Sequence, residues 1–118
     1  MHNTKVTRHF MDGEFGQLHY RMAGEASAKP TIVCLHMVPK SSRSYQHVLP
    51  LLARDRLGIA IDYPGYGESS PPFEESQASI DCYAQAVWQV LSKLNITNVD
   101  FVGYHTGCMV SVRAAQLQ

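Results

Sequence analysis

Residues 98–107 read Asn-Val-Asp-Phe-Val-Gly-Tyr-His-Thr-Gly: a largely apolar run enters one glycine, and a second glycine follows after three residues. The run from Val99 to Val102 has the composition of a short buried strand, and His105 to Leu117, rich in small residues, is predicted to be a helix. We therefore predict a strand that turns sharply into a helix, with His105 raised above the sheet. Histidine is among the residues that tolerate the positive φ of such a turn.

The composition is that of one ordinary globular domain spanning residues 1–118. Hydrophobic residues make up 45% of the chain, charged residues 17%, and the formal net charge is zero. This balance excludes a disordered chain and provides no basic footprint for nucleic acid. There is no apolar run of signal-peptide or membrane-span length, so a cytoplasmic location without a membrane partner is expected.

The cysteines do not form a recognisable framework. Cys34, Cys82 and Cys108 are odd in number and widely spaced, which argues against a disulfide scaffold and against paired zinc ligands. Buried thiols are the expected state. Neither a metal nor a cofactor is predicted.

Short segments with strand-like and helix-like patterns alternate along the chain. Strands are predicted at Thr4–Met11, Gly16–Met22, Thr31–His36, Leu57–Asp62 and Val99–Val102, with an Asp12-Gly13 turn closing the opening hairpin. A helix beginning near Tyr45 should break or kink at Pro50, and Ile80–Leu94, capped by Ser79, forms an amphipathic helix. The alternation predicts an α/β fold, a mostly parallel sheet with helices on both faces after an opening β-hairpin.

Polar residues follow three of the predicted parallel strands. His36, Asp62 and His105 each lie at or just beyond a strand's carboxyl end, the edge where open parallel sheets bind ligands. A metal site there would need His36 and Asp62 beside His105, and no ligand spacing recommends one.

Three ordered motifs resemble those of the α/β-hydrolases. His36–Ser42 is similar to the His-Gly-x-Pro loop after their third strand, Asp62–Ser69 to their Asp-x-x-Gly-x-Gly-x-Ser segment, and residues 103–107 to their nucleophile elbow. The resemblance covers nearly the whole chain. It is strongest to the branch of haloalkane dehalogenases, epoxide hydrolases and proline iminopeptidases.

The resemblance implies a site and a reaction class. The backbone N–H groups of Val38 and Thr106 would form an oxyanion hole, and His105 would occupy the nucleophile position. Neighbouring third and fifth strands would bring the Val38 loop close to His105. His36, Met37 and Tyr104 would contribute to binding a small neutral ester, epoxide or related substrate.

The chain departs from the family pattern at two positions. Met37 replaces the glycine usual after the first histidine, and His105 stands where the family has Ser, Cys or Asp. Three interpretations of His105 are open: a catalytic nucleophile or general base, a residue of a site that has lost catalysis, or a metal ligand. The second would make the chain a non-catalytic binding or scaffold protein, a possible pseudoenzyme. A dinucleotide-binding protein is disfavoured because no three-glycine fingerprint opens a helix.

The family's triad acid and histidine follow later strands, so neither can be assigned within residues 1–118. We accordingly predict a truncated domain, the N-terminal portion of an α/β-hydrolase fold without its C-terminal strands or any cap domain. Val99–Val102 would then be an open, apolar sheet edge, which favours pairing. We expect a C-terminal complement, or self-association through that edge.

Overall fold

The computed structural model describes residues 5–117. Its main elements in chain order are β1 Thr7–Gly13, β2 Gly16–Ala23, β3 Thr31–Leu35, α1 Leu49–Leu52, β4 Gly58–Ile61, α2 Ile80–Lys93, β5 Val99–Gly103 and α3 Thr106–Leu117. Two short 3₁₀ helices, Ser42–Tyr45 and Glu75–Gln77, lie in the connections. Within residues 5–117, no helix is both long enough and apolar enough to cross a bilayer.

The strands form one mixed sheet of five in the order β1-β2-β4-β3-β5. The strands β4, β3 and β5 run parallel, and β2 lies antiparallel to both β1 and β4. The predicted α/β class with an opening hairpin is therefore confirmed. The predicted neighbours β3 and β5 do pair, from Thr31 opposite Val99 to Leu35 opposite Gly103.

The opening hairpin turns two residues later than the sequence predicted. Asp12 pairs with Gln17 and Gly13 with Gly16, so both residues predicted to form the turn belong to β1. Gly16 has φ +116°, a conformation that glycine adopts easily. Of the predicted strand Thr4–Met11, Thr4 lies outside the described residues.

One face of the sheet is covered by α2 and α3. Buried side chains of α2 pack in one core with sheet residues, among them Val33, Ile59, Tyr83, Val87 and Leu91. The helix begins as predicted, with Ser79 Oγ accepting the Cys82 N–H at 3.2 Å. Trp88 Nε1 donates to the Ala114 carbonyl at 2.7 Å, and this hydrogen bond connects α2 to α3.

The other face is covered by the first 3₁₀ helix and α1. Tyr45 and Leu49 pack there on Cys34 and Ala60. The predicted helix from Tyr45 with a break at Pro50 was wrong in position: a 3₁₀ helix ends at Tyr45, and a separate helix, α1, begins at Leu49 with Pro50 in its first turn. Proline is tolerated in that position because its missing N–H would have had no helical partner.

The three thiols differ in exposure, and this predicts their reactivity. Cys34 is buried, and burial raises its pKa to about 12, whereas Cys108 is exposed. Because the thiolate is the reactive form, iodoacetamide at pH 8 should modify Cys108 rapidly and Cys34 only after denaturation. Mass spectrometry of peptides from native and denatured protein checks this, with Cys108→Ser as the control. Rapid native labelling of Cys34 would contradict the packing of this face.

Candidate active site

The connection between β5 and α3 is a tight turn with His105 at its apex. His105 has φ +52°, and it lies after the last residue of β5 and before the first of α3. The Gly107 N–H donates to the Tyr104 carbonyl and the Cys108 N–H to the His105 carbonyl, both at 2.9 Å. The backbone therefore reverses where the sequence predicted, and His105 belongs to neither regular element.

Two glycines allow this turn to sit against the sheet. A Cβ at Gly103 would overlap the backbone of Gly107 and Cys108, and a Cβ at Gly107 would overlap the Leu35 carbonyl at the end of β3. Both neighbours are backbone atoms that no rotamer change can move. The glycines are therefore explained by close approach, and the approach places the start of α3 beside the end of β3.

The loop after β3 lies against the same turn. The Val38 N–H donates to Thr106 Oγ1 at 3.3 Å, across 68 residues of sequence. The loop contains a cis peptide bond between Val38 and Pro39. The structure thus brings together the two residues whose backbone N–H groups were predicted to form an oxyanion hole.

His36 lies beneath this loop. Its Nδ1 donates to the Met37 carbonyl at 2.9 Å, and its Nε2 accepts the Tyr63 N–H at 3.2 Å. Burial lowers the pKa of His36, although the hydrogen bond to Met37 and the charge of Asp62 oppose the shift. Because both ring nitrogens are occupied by backbone and the side chain is fully buried, His36 shapes the loop from inside and does not reach a substrate directly.

The other predicted binding residues border the turn. Met37 is half-buried in the loop, and Tyr104 is 58% exposed. The rings of Tyr104 and His105 meet edge to face with centroids 4.3 Å apart. His105 is exposed, and no carboxylate in residues 5–117 pairs with its ring.

Asp62, the third polar residue at a strand end, serves the structure. Its carboxylate is buried and accepts the Ser42 N–H at 2.6 Å, the Glu68 N–H at 3.0 Å and His19 Nδ1 at 2.7 Å. Burial alone would raise its pKa, but these hydrogen bonds outweigh burial and lower it. Gly67 is also fixed here, because a Cβ at that position would overlap the carboxylate.

The contact between His19 and Asp62 was not anticipated from the sequence. The two residues are 43 positions apart, and no local pattern links them. Both side chains are buried, and His19 Nε2 has no hydrogen-bond partner among residues 5–117. Within the described part of the chain, no cluster of three or more His, Cys, Asp or Glu side chains could hold a metal ion.

Comparison with known proteins gives one family. Residues 30–118 match the family model for the alpha/beta hydrolase fold. Among curated relatives, epoxide hydrolase 4 of Mus musculus is 30% identical over 95 residues, 80% of this chain and 26% of that protein. An uncharacterized hydrolase of Saccharomyces cerevisiae is 35% identical over 96 residues, 81% of this chain and 32% of that protein.

Solved structures of other proteins share the fold of this chain. An alpha/beta hydrolase from Novosphingobium aromaticivorans superposes with a TM-score of 0.89 at 18% identity, over 99% of this chain and 41% of that one. An epoxide hydrolase from an endophytic Streptomyces superposes with a TM-score of 0.85 at 26% identity, over 95% of this chain and 33% of that one. The chain spans about a quarter to a third of the length of the curated relatives described above. By the family match and the strand order, it belongs to the α/β-hydrolase fold family.

Proposed function

We propose that this chain is the N-terminal part of the catalytic domain of a hydrolase acting on an ester, an epoxide or a similar small neutral substrate. The supporting observation is the junction of the β5–α3 turn with the Val38 loop: His105 at positive φ lies just before Thr106, which accepts the Val38 N–H. Relatives named epoxide hydrolase favour the same reaction class.

The backbone donors would stabilise the oxygen on which charge develops. In this proposal the substrate oxygen replaces Thr106 Oγ1 as the acceptor of the Val38 N–H, and the Thr106 N–H at the start of α3 supplies the second donor. The helix dipole adds partial positive charge at the same point. Neither donor depends on a side chain, so the hole tolerates the unusual residue at position 105.

His105 would act at the reactive carbon in one of two ways. As a nucleophile toward an ester, an imidazole nitrogen adds to the carbonyl carbon, the alcohol leaves with a proton, and water hydrolyses the acyl-imidazole to the acid and free His105. As a general base, His105 accepts a proton from the water that attacks the ester carbonyl or opens the epoxide ring. Only the second route serves an epoxide, because N-alkylation would leave a C–N bond that water does not cleave. Intact-protein mass spectrometry during turnover separates the two routes, because only the first adds the mass of a substrate fragment to His105.

Replacing His105 tests the proposal directly. His105→Ala should reduce hydrolysis of p-nitrophenyl acetate or styrene oxide by about 10²- to 10⁴-fold, the usual contribution of a general base. His47→Ala is the matched control, because His47 is also exposed and lies outside the turn. Unchanged turnover in His105→Ala would show that another residue carries out the reaction. No turnover in either the parent or the variant, with the C-terminal complement supplied, would favour a non-catalytic protein with a degenerate site.

We also propose that a C-terminal complement covers the open edge of the sheet. In the described chain β5 pairs only with β3. Of the nine large hydrophobic side chains that are exposed among the described residues, five belong to residues 102–117: Val102, Tyr104, Met109, Val112 and Leu117. Such an edge favours pairing with another strand. The relatives' greater length is consistent with such a complement, which would also carry the missing triad acid and histidine.

Without its complement, the chain should self-associate through this edge. Light scattering should show species larger than a monomer, and Met109→Glu with Val112→Glu should shift them toward monomer. Leu51→Glu is the control, since Leu51 is equally exposed but lies on α1. A monomer with β5 amides protected from exchange would contradict the proposal. An open reading frame downstream of codon 118, encoding a later Asp and His, would support it. The cytoplasmic location stays a prediction.

A further inference from the structure

A polar cavity of about 630 Å³ lies beside β1 and β2, away from the candidate active site. Its polar lining comprises Arg8, Arg21, Ser41, Arg43, Gln46 and Glu68. Arg21 is on β2, three strand positions from β5, which at about 4.8 Å per strand separates it from the β5–α3 turn by roughly 14 Å across the sheet. The cavity is therefore a separate feature from the proposed oxyanion hole.

Two of its arginines oppose each other in the sheet. Arg8 on β1 and Arg21 on β2 are direct register partners. Side chains in that relation are about 5 Å apart at Cβ and share a face, and like charges placed so are destabilising. Arg43, from the 3₁₀ helix Ser42–Tyr45, lines the same cavity. Three guanidinium groups therefore line one cavity, and none of them can neutralise the positive charge of another.

Protein acceptors do not neutralise these charges. Arg21 is only 8% exposed, and its Nε donates to Ser42 Oγ at 3.1 Å, a neutral acceptor. Within residues 5–117 no carboxylate forms an ion pair with Arg8, Arg21 or Arg43. Among the residues that the structure describes, Glu68 is the one carboxylate in the lining. A buried guanidinium without a charged partner is unfavourable unless an anion joins it.

Hydrogen bonds to Asp62 connect two segments of the cavity wall. The two carboxylate oxygens of Asp62 accept the N–H groups of Ser42, the first residue of the 3₁₀ helix Ser42–Tyr45, and of Glu68, in the loop after β4. Gly67, the neighbour of Glu68, admits no side chain, because a Cβ there would overlap the same carboxylate. Asp62 therefore fixes Ser42 and Glu68 beside the arginines, and within residues 5–117 it forms no ion pair with any of them.

We propose that this cavity binds a phosphate group, either inorganic phosphate or the phosphate of a small monoester. Guanidinium groups match phosphate oxygens in bidentate geometry, and a dianion suits three positive charges facing one carboxylate. Ser41 and Gln46 offer further hydrogen-bond donors at the rim. Arg21 is the anchor, while Arg8 and Arg43, both exposed, close on the ligand from the two sides.

Calorimetric titration of the chain with inorganic phosphate at constant ionic strength tests the proposal. Saturable binding is expected, stronger than that of acetate. Arg43→Gln and Arg8→Gln should each weaken it about tenfold, the usual effect of losing a charge-assisted hydrogen bond. Glu68→Gln should strengthen it. Arg54→Gln is the matched control, an exposed arginine outside the cavity, and should change affinity less than about twofold under screening salt.

Backbone amide shifts locate the ligand independently of the variants. Phosphate should shift the amides of Ser42, Arg43 and Glu68, and not that of Thr106. Displacement of inorganic phosphate by phenyl phosphate would assign the site to monoesters, and failure to displace it would assign the site to the free ion. The proposal is overturned if phosphate does not bind, if Arg43→Gln binds like Arg54→Gln, or if the shifts centre on Thr106. None of these readouts depends on hydrolase activity.

Discussion

Gly107→Ala is expected to lower the free energy of unfolding by about 3 kcal/mol, the upper end of what overpacking a rigid site produces. A Cβ at this position would overlap the Leu35 carbonyl, so β3 and α3 would have to separate. The better helix propensity of alanine stabilises the folded state by only about 1 kcal/mol, so the steric overlap determines the sign of the change. Urea unfolding followed by circular dichroism measures the difference.

Gln116→Ala is the matched control for that experiment. Gln116 lies on the same helix and is exposed, so its loss should change stability by less than about 0.5 kcal/mol. If Gly107→Ala were as stable as the parent protein, α3 would not approach β3 so closely. The geometry of the turn at His105 would then have to be revised.

Asp62→Asn is expected to destabilise the fold by about 3–5 kcal/mol, the range found when one partner is removed from a buried charged network. The carboxylate accepts hydrogen bonds from Ser42, Glu68 and His19. The amide that replaces it has one oxygen and an NH₂ group, which would face a donor. The first 3₁₀ helix, the loop that contains Glu68, and β2 would therefore lose a shared hydrogen-bond acceptor.

The same carboxylate predicts an acid-dependent loss of stability. Because the pKa of Asp62 is lowered in the folded state, its contribution is complete above the unfolded pKa of about 3.9 and disappears as pH falls through the folded value. Urea unfolding between pH 5 and pH 2 should show a shallower decline for Asp62→Asn than for the parent protein. Asp100→Asn, at an aspartate whose side chain is 58% exposed, is the control. Parallel curves for all three proteins would contradict the role of Asp62.

Much of the fold followed from local patterns in the sequence. The apolar spacing of Ile80–Leu94 predicted α2, which ends one residue earlier, at Lys93. The glycines at 103 and 107 predicted the turn at His105. These features depend on residues close together in the chain. The hairpin turn was misplaced because Asp12 and Gly13 have turn propensity, but strand pairing overrides it and carries β1 through both.

Contacts between distant residues could not be obtained in this way. The pairing of His19 with Asp62 depends on β2 lying beside β4, and sequence spacing does not encode that neighbourhood. The facing arginines, Arg8 and Arg21, likewise depend on the exact hairpin register. A register shifted by one residue would have placed them on opposite faces of the sheet.

The strand order has a consequence for synthesis on the ribosome. Every pairing in the described sheet joins strands that end by Gly103, so all of them can form once Gly103 has left the ribosome. N-terminal units generally fold first as the chain emerges. The five strands can therefore pair as one unit, and among the described residues one border of β5 then stays unpaired, which makes it the place where aggregation during synthesis would start.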